Sequence, residues 1–309
     1  MKVIRKAEQR EARVVALGTF DGVHRGHQAL LEAGKTYARE HGILLRACSF
    51  DRHPLEVLRP EAAPKLLTTL AEKARWMAVY GADELLLLPF TRETADLEPE
   101  EFLRRMRENT DLRAVVAGWN YTFGRHGKGN AETLREDGRR HGYDVLILPP
   151  VKTGEGETIS STLIRTRLQE GKASEAERLM GHPYELRGKV TSGKQMGRKI
   201  GVPTANVQVS GQKLLPAFGV YPCEMITEAG SCPAAVNIGL QPTLPSGGVT
   251  VEANALDGAP DLYGQHVVLI PGDRIRPEHR FESPEELAAQ IRKDRETVRQ
   301  WWEKRRANA

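Results

Sequence analysis

The amino-acid sequence predicts an α/β protein of two domains: a doubly wound parallel sheet, then a small antiparallel β-barrel with a terminal helix. Three observations lead to this prediction. The chain has 309 residues, which is longer than a single hydrophobic core usually supports. Its first half alternates β-rich runs with amphipathic stretches, and its second half consists of short alternating runs separated by glycine and proline. The pattern changes near Gly181, so we expect domains 1–181 and 182–309.

Strands and helices alternate in the predicted first domain. The strand-like runs cover residues 13–17, 43–50, 84–88, 113–117 and 143–148. Helical patterns lie between them at residues 26–40, 69–80, 99–109 and 130–141. Regular alternation predicts a parallel sheet with helices on both faces. Ligands bind beyond the carboxyl ends of the strands in such sheets, so we expect a site at the motifs that follow the first and fourth of these strands.

The predicted second domain contains short strands and one long helix. The strand-like runs cover residues 185–191, 204–209, 219–227, 232–237, 250–256 and 265–270. Such evenly spaced short strands are typical of a small antiparallel barrel. The terminal helix is expected to begin near Ser283, an N-cap residue that is followed by Pro284 and the capping-box residue Glu286.

Composition excludes several classes of partner. The 45 basic and 41 acidic residues give a net charge of +4, too small to indicate binding to nucleic acid or a membrane surface. The cysteines, Cys48, Cys223 and Cys232, are scattered, which favours a reducing cytoplasm. Residues 1–13 lack the apolar segment of a secretory signal, and no apolar run approaches the ~20 residues of a membrane helix. We therefore expect a cytoplasmic protein with small-molecule partners, and a homo-oligomer is compatible with the sequence.

The motif GTFDGVHRGH, residues 18–27, follows the first predicted strand and opens the first helix. Its glycines allow a tight turn and a close approach to phosphate, and the helix N-terminus adds free N–H groups. His24 and His27 are three residues apart, so both rings can face one side of the helix. Two imidazoles at one phosphate suit adenylyl transfer, in which negative charge builds on the α-phosphoryl oxygens. The alternative is that these histidines only cap a helix or line a crevice.

The motif ISSTLIR, residues 159–165, precedes a helical run at 163–170. Its hydroxyl residues, Ser160, Ser161 and Thr162, can cap that helix. Capping explains one hydroxyl but not three in a row followed by Arg165. The guanidinium of Arg165 suits a departing pyrophosphate.

A different phosphate site is predicted in the second half, because the chain contains no GxxxxGK[ST] sequence. The glycine-rich, lysine-bearing segment 188–201 can wrap phosphates with backbone N–H groups; the alternative is an ordinary barrel loop. In the PTAN sequence that follows, Thr204 and Asn206 point to the same face if they start a strand. Their oxygens are suited to Mg²⁺, although two polar residues on the wet face of a strand would look the same.

The two motifs of the first half together resemble the HxGH nucleotidyltransferases, and among them the FAD synthetase module of the bacterial bifunctional riboflavin kinase/FAD synthetases. The segments FDRHP (50–54) and GWNYTFG (118–124) extend the resemblance. In the second half, the sequence GRKIGVPTAN (197–206) resembles the riboflavin kinase signature. The remaining similar segments are LPAFGVY (215–221), VNIG (236–239), VEAN (251–254) and DLYG (261–264), and the resemblance spans about residues 14–302.

The resemblance implies roles for individual residues. Glu252 matches the catalytic glutamate, which would orient the ribityl 5′-hydroxyl and accept its proton while Mg²⁺ neutralises the transferring phosphoryl group. Asn120, where many members carry Asp, is either a neutral ligand or a turn residue. Asn254 and Gly258 depart from the usual His and Phe. The expected catalytic residues are His24, His27, Arg165 and Glu252, and the expected metal ligands are Thr204 and Asn206. The expected nucleotide- or flavin-binding residues are Gly18, Phe20, Asp21, Gly26, Asn120, Ser160, Ser161, Thr162, Gly188, Gly193, Gly197, Arg198 and Pro203.

The activity that the resemblance implies has two steps. The barrel would phosphorylate riboflavin to FMN with ATP and Mg²⁺, and the first domain would join FMN to the AMP moiety of a second ATP, giving FAD and pyrophosphate. Other HxGH transferases act on pantetheine phosphate, nicotinate ribotide or choline phosphate, but a barrel with PTAN argues against these substrates. The remaining alternative is a flavin-binding regulator with one degenerate site; the intact candidate residues speak against it.

Overall fold

The computed structural model describes residues 1–6, 11–191, 204–240, 248–256, 262–279 and 281–307. The chain divides into two compact units, Met1–Ser161 and Thr162–Ala309.

The first unit contains a parallel sheet of six strands in the order β1-β4-β3-β2-β5-β6. Its strands are β1 (Lys2–Ile4), β2 (Ala12–Leu17), β3 (Leu44–Phe50), β4 (Glu84–Leu88), β5 (Asp111–Gly118) and β6 (Asp144–Leu148). The chain moves from β2 to β3 and β4 on one side and later returns to β5 on the other. This reversal creates a crevice at the carboxyl ends of β2 and β5, where ligands bind in sheets of this kind.

Helices cover both faces of the sheet. They are α1 (Arg25–Glu40), α2 (Pro54–Leu58), α3 (Leu70–Val79), α4 (Arg92–Ala95), α5 (Pro99–Glu108) and α6 (Ala131–His141). Their ends follow from local sequence: Thr69 forms a capping box with Glu72 at the start of α3, and Asn130 caps α6. Gly142 ends α6 in the left-handed conformation, with φ 75°.

The central strand supplies both cores of this unit. Val14 and Ala16 face the core that contains α1 and α3, whereas Val15 and Leu17 face the core that contains α5 and α6. Each of these four side chains is at most 1% exposed. A strand that is buried on both faces has a continuous apolar sequence, and residues 14–17 have such a sequence.

The second unit is built around a closed antiparallel barrel with the strand order β10-β11-β8-β7-β12-β9. Its strands are β7 (Leu186–Thr191), β8 (Ala205–Val209), β9 (Gly219–Thr227), β10 (Gly230–Leu240), β11 (Val249–Ala255) and β12 (His266–Pro271). β9 and β10 pair with each other and close the barrel. Interior positions alternate with exterior ones along each strand, so the apolar residues of these runs fill the interior.

Two short helices precede the barrel, α7 (Ser161–Gln169) and α8 (Ala173–Met180). The carbonyl of Leu168 accepts a hydrogen bond from the Ala217 amide at 3.0 Å. The Glu177 carboxylate accepts one from the Arg305 guanidinium at 3.2 Å. These contacts place both helices with the second unit, and the structural division falls at the start of α7, between Ser161 and Thr162. The boundary at residues 181 and 182 stays a prediction about the catalytic domains.

The terminal helix, α9 (Pro284–Ala307), packs on β9 and β10 through side chains that include the fully buried Val298. Asp294 on this helix forms a salt bridge with Arg276 at 2.8 Å. Arg295 donates a hydrogen bond to Asn254 Oδ1 at 2.7 Å. Asn254 is therefore a buried partner of α9.

The predicted fold class is confirmed for both units. The sequence patterns missed β1, α2, α4 and α8, which are too short for a periodic pattern to develop. Within the described ranges, none of the helices combines the length and the apolar character that a membrane span requires.

Candidate active sites

The loop after β2 turns sharply before α1 begins. Phe20 and Val23 have positive φ angles of 51° and 38°, a region that residues with side chains seldom adopt. Gly22 between them has φ 83°, and the Val23 amide closes the turn by donating to the Phe20 carbonyl at 3.2 Å. A Cβ on Gly18 would lie 3.2 Å from the Phe20 ring. Such backbone strain costs about 1–3 kcal/mol per residue and clusters at functional sites; here it places His24 at the N-cap of α1.

The two imidazoles lie together at the start of α1, as predicted. Their ring centroids are 3.7 Å apart and the planes are inclined by 21°, while Phe20 packs against His27 with centroids 5.2 Å apart. A Cβ on Gly26 would lie 3.1 Å from the His24 ring. Glycine at this position therefore leaves room for the His24 ring.

The electrostatic state of His27 suits a phosphate ligand. Burial lowers the pKa of His27 well below its ordinary value, and neighbouring His24 and Lys73 lower it further. The ring is therefore neutral at pH 7, with one donor and one acceptor nitrogen. The buried Nδ1 atom has no hydrogen-bond partner among the described residues, so the protein leaves hydrogen-bonding capacity on this ring.

Lys73 is a site residue that the sequence patterns did not identify. It projects from α3, and its Nζ donates to the Thr19 carbonyl in the loop after β2 at 2.9 Å. Burial lowers the pKa of Lys73, whereas the nearby Asp21 carboxylate raises it. A lysine on an amphipathic helix resembles an ordinary solvated charge in sequence, and only the packing of α3 brings it to the carboxyl edge of the sheet.

A small cavity of about 40 Å³ adjoins Lys73 and includes the FDRHP segment in its lining. His53 of this segment also begins α2, where its Nδ1 accepts from the Leu55 amide at 3.2 Å. The Glu56 carboxylate accepts from the His53 amide at 3.2 Å. This capping box holds His53 at the cavity, together with Thr19 and Lys73.

Asp21 joins the loop after β2 to two other segments. Its buried carboxylate accepts hydrogen bonds from the amides of Leu67 at 3.0 Å and Thr68 at 3.1 Å. Its main-chain carbonyl accepts from Ser161 Oγ at 2.9 Å. The carboxylate thus positions the loop, and Ser161 brings the end of the ISS segment beside it. A direct role of Asp21 in nucleotide binding stays a prediction.

The other residues of the ISSTLIR motif are placed as follows. Ser160 is half-buried and directly precedes α7. Thr162 and Arg165 lie on α7 and belong to the second unit, with Thr162 exposed and Arg165 half-buried. Their assignment to the leaving pyrophosphate stays a prediction.

Asn120 follows β5 at the carboxyl edge of the sheet and is exposed. The Tyr121 amide donates to the Gly118 carbonyl at 3.0 Å, which closes a turn around Asn120. A Cβ on Gly118 would lie 3.4 Å from Asn120 Oδ1. Asn120 thus occupies a turn next to the crevice; a role as ligand also stays a prediction.

The polar residues predicted in the second unit lie on neighbouring strands. Asn206 on β8 is the register partner of Glu252 on β11, and Glu252 is the partner of Asn237 on β10. Directly opposite residues on paired strands have Cβ atoms about 4.5–5.5 Å apart and share a face. The neighbours Val236 and Val251 are buried, so this face is the outer one. We call Asn206, Asn237 and Glu252 the outer-face row.

Glu252 is half-buried in this row. Burial raises the pKa of Glu252, and the nearby Glu278 carboxylate raises it further. Thr204 directly precedes β8, two residues before Asn206; that both side chains point to the same face stays a prediction. The sequence patterns did not identify Asn237 or Glu278 as site residues.

Gly188 lies on β7 opposite Val209. A Cβ there would lie 2.5 Å from the Gln208 carbonyl oxygen, so the close approach of β7 and β8 requires glycine. The other predicted binding residues of this segment, Gly193, Gly197, Arg198 and Pro203, lie outside the described residues. Gly258 also lies outside them.

Comparison with known proteins identifies the family. The FAD synthetase family model matches residues 6–163, and the riboflavin kinase model matches residues 180–302. A bifunctional riboflavin kinase/FMN adenylyltransferase of Escherichia coli (strain K12) is 36% identical over 294 residues, covering 94% of this chain and 93% of that protein. The protein of the same name from Bacillus subtilis (strain 168) is 34% identical over 297 residues, covering 94% and 92%.

A solved structure is similar to this chain over nearly its whole length. The crystal structure of a protein from Streptococcus pneumoniae, named as a macrolide-efflux protein, superimposes with a TM-score of 0.86 at 33% identity, covering 97% of this chain and 98% of that one. The chain belongs to the family of bifunctional riboflavin kinase/FMN adenylyltransferases.

Proposed function

We propose that this member of the family carries out both reactions, each at a separate site: riboflavin is phosphorylated to FMN in the second unit, and FMN is adenylylated to FAD in the first. The observation that carries this conclusion is the presence of two separate polar sites. Paired imidazoles lie at the start of α1, and Glu252 pairs with Asn206 on the outer face of the barrel. Both sets of residues are intact, so a regulator with one degenerate site is not favoured.

In the first unit, a phosphate oxygen of FMN attacks the α-phosphorus of ATP. The bond from that phosphorus to the bridging oxygen breaks, and pyrophosphate leaves. His24, His27 and Lys73 would stabilise the negative charge that develops on the α-phosphoryl oxygens. The N-terminus of α1 adds donors directed at the same place. Gly18, Phe20 and Gly26 would act through the shape of the loop.

In the second unit, the ribityl 5′-hydroxyl attacks the γ-phosphorus of ATP and ADP leaves. Glu252 would accept the proton of that hydroxyl. Its pKa is raised by burial, which makes the carboxylate a stronger base than an exposed glutamate. General bases work best when their pKa approaches the operating pH.

The donor set beside Glu252 fits Mg²⁺. The described residues contain no group of three or more His, Cys, Asp and Glu side chains that could hold a metal. Mg²⁺ needs no such group, because it usually takes one or two protein ligands together with substrate phosphates and water. The Thr204 hydroxyl and the Asn206 carbonyl oxygen would supply the protein ligands. Mg²⁺ bound there would neutralise charge on the transferring phosphoryl group.

Other parts of the assignment are also proposals. The substrates would be small molecules (ATP, riboflavin and FMN). A cytoplasmic location and a homo-oligomeric state stay predictions. We place the boundary between the catalytic domains at residues 181 and 182, a position supported by the start of the riboflavin kinase match at residue 180.

The test is a single incubation of the purified full chain with riboflavin, ATP and Mg²⁺, followed by chromatographic separation of the flavins. We expect FMN first and FAD afterwards, with pyrophosphate released in step with FAD. Addition of EDTA should stop FMN formation. If neither flavin nucleotide forms, the proposed function is wrong; if only one forms, the assignment of the other unit is wrong.

A further inference from the structure

A second carboxylate, Glu278, is held against the outer face of the barrel. The segment that carries it is anchored two residues earlier. The Val220 amide of β9 donates to the Arg276 carbonyl at 2.9 Å, and the Arg276 guanidinium binds Asp294 at 2.8 Å. Glu278 therefore extends from a fixed point rather than from a free loop.

The side chain of Glu278 lies over β10, beside the outer-face row. Its Oε1 accepts a hydrogen bond from Asn237 Nδ2 at 3.4 Å. A Cβ on Gly239 would lie only 1.7 Å from Glu278 Oε1. The carboxylate thus occupies the space that a side chain at position 239 would fill.

Two carboxylates, Glu252 and Glu278, flank the Asn237 amide, and the described residues use only part of their acceptor capacity. An ionised carboxylate only accepts, at about four lone-pair sites. Among the described residues, Asn237 supplies the hydrogen bond to Glu278. Unused acceptor sites on a carboxylate favour a ligand that brings several hydrogen-bond donors.

We propose that Glu278 is a specificity-determining residue of the kinase site and that it binds the secondary hydroxyls of the ribityl chain. This inference rests on the proposed kinase function. Glu252 engages the terminal hydroxyl, and Glu278 with Asn237 accepts and donates hydrogen bonds along the rest of the polyol. A flavin whose side chain carries only a terminal hydroxyl forms no hydrogen bond with Glu278, so its binding affinity does not depend on this residue.

The experiment compares two substrates in the full-length protein. One is riboflavin, and the other is the same ring system with an unbranched 5-hydroxypentyl chain. Loss of hydrogen bonds to a charged group corresponds to about a tenfold to hundredfold change. We therefore expect Glu278→Ala to lower kcat/KM for riboflavin about tenfold to hundredfold, mainly through KM, and to leave that for the hydroxypentyl flavin unchanged. The KM for ATP should stay the same.

A second variant tests the same point without removing the charge. Gly239→Ala would push the carboxylate away from Asn237, and the displaced atoms are the far end of a flexible, exposed side chain. This variant should reproduce the substrate-dependent loss, and the double variant should be no worse than either single one. The matched control is Glu228→Ala, in the exposed turn between β9 and β10, which should behave as wild type.

The outcomes separate this inference from the function on which it rests. An equal loss with both flavins would show that Glu278 acts on the terminal hydroxyl or on folding, and it would overturn the inference. A changed Mg²⁺ dependence with an unchanged KM for riboflavin would assign Glu278 to the cation and also overturn it. If both Glu278→Ala and Gly239→Ala behave as wild type, the inference alone fails. A wild type that forms no FMN overturns the proposed function and this inference with it.

Discussion

Replacement of Lys73 by methionine should separate the two activities of the chain. Lys73 Nζ lies 2.9 Å from the Thr19 carbonyl, which uses one of its three donors. Among the described residues Nζ makes no other hydrogen bond, which leaves its other donors for a phosphate oxygen. Removing one donor from a developing oxyanion costs about 10²–10³ in kcat, or roughly 2.7–4 kcal/mol. Lys73→Met keeps the apolar stem and removes a charge that burial already disfavours, so we expect little loss of stability.

The assay follows both flavin nucleotides in one reaction. With Lys73→Met, FMN should accumulate at the wild-type rate while FAD formation falls about 100-fold or more. The pH profile provides a second measurement. Because the pKa of Lys73 is lowered, the wild type should lose FAD synthesis at a lower alkaline pH than an ordinary lysine would set, and the variant should lack this decline.

The control is Lys35→Met, which removes a partly exposed salt bridge to Asp83 in the same unit. Such bridges contribute about 1 kcal/mol at most, so both activities should persist. FAD formation within threefold of wild type in Lys73→Met would refute the assignment of Lys73. A parallel loss of FMN and FAD would point to unfolding instead and would equally contradict the reasoning.

The remaining predictions concern the other site residues, the strained loop and the two helices before the barrel. His27→Ala should lower FAD formation about 100-fold or more while FMN accumulates. Glu252→Gln should stop FMN formation while supplied FMN is still converted to FAD. Both results are measured by chromatography of the flavins, and a loss of both activities in either folded variant would disprove separate sites. Gly22→Ala places a side chain at φ 83° and 2.9 Å from a leucine methyl group, so denaturant titration should show about 1–3 kcal/mol lower stability; an unchanged midpoint would argue against strain. The fragment 182–309 should have a lower melting temperature than the fragment 162–309, because it lacks the contacts of α7 and α8. The expected difference is about 4 °C for each kcal/mol of unfolding free energy that these contacts contribute. Equal melting temperatures would mean that these helices do not stabilise the barrel.

Much of the fold could be predicted from the sequence because its elements have clear local signals. The run VVAL, residues 14–17, is apolar throughout and lies at the centre of the sheet, as expected for a strand buried on both faces. β1 has three residues, too few for alternation to be recognised. The sequence patterns also could not show that α7 contacts the segment before β9, because hydrogen bonds such as that from Ala217 to Leu168 join segments far apart in the chain.

The candidate sites likewise contain some residues that local sequence patterns could predict and others that they could not. His24 and His27 could be predicted as neighbours because three residues of helix bring them together. Lys73 reaches the loop after β2 across a sequence separation of 54 residues, and Glu278 reaches Asn237 across 41. Neither has a local pattern that distinguishes it from a solvated charge. Their positions depend on packing and strand register, which single-sequence patterns do not encode.

The outer-face row also makes the kinase site sensitive to strand alignment in a particular way. Asn206, Asn237 and Glu252 come from three strands, and the main-chain ladder alone sets the spacing between them. A shift of one residue in any of these strands would turn its polar group into the barrel interior and bring an apolar residue out. Loops that join the strands can therefore change in length without moving the reacting groups, whereas a single inserted residue within β8, β10 or β11 would abolish phosphorylation even in a barrel that still closes.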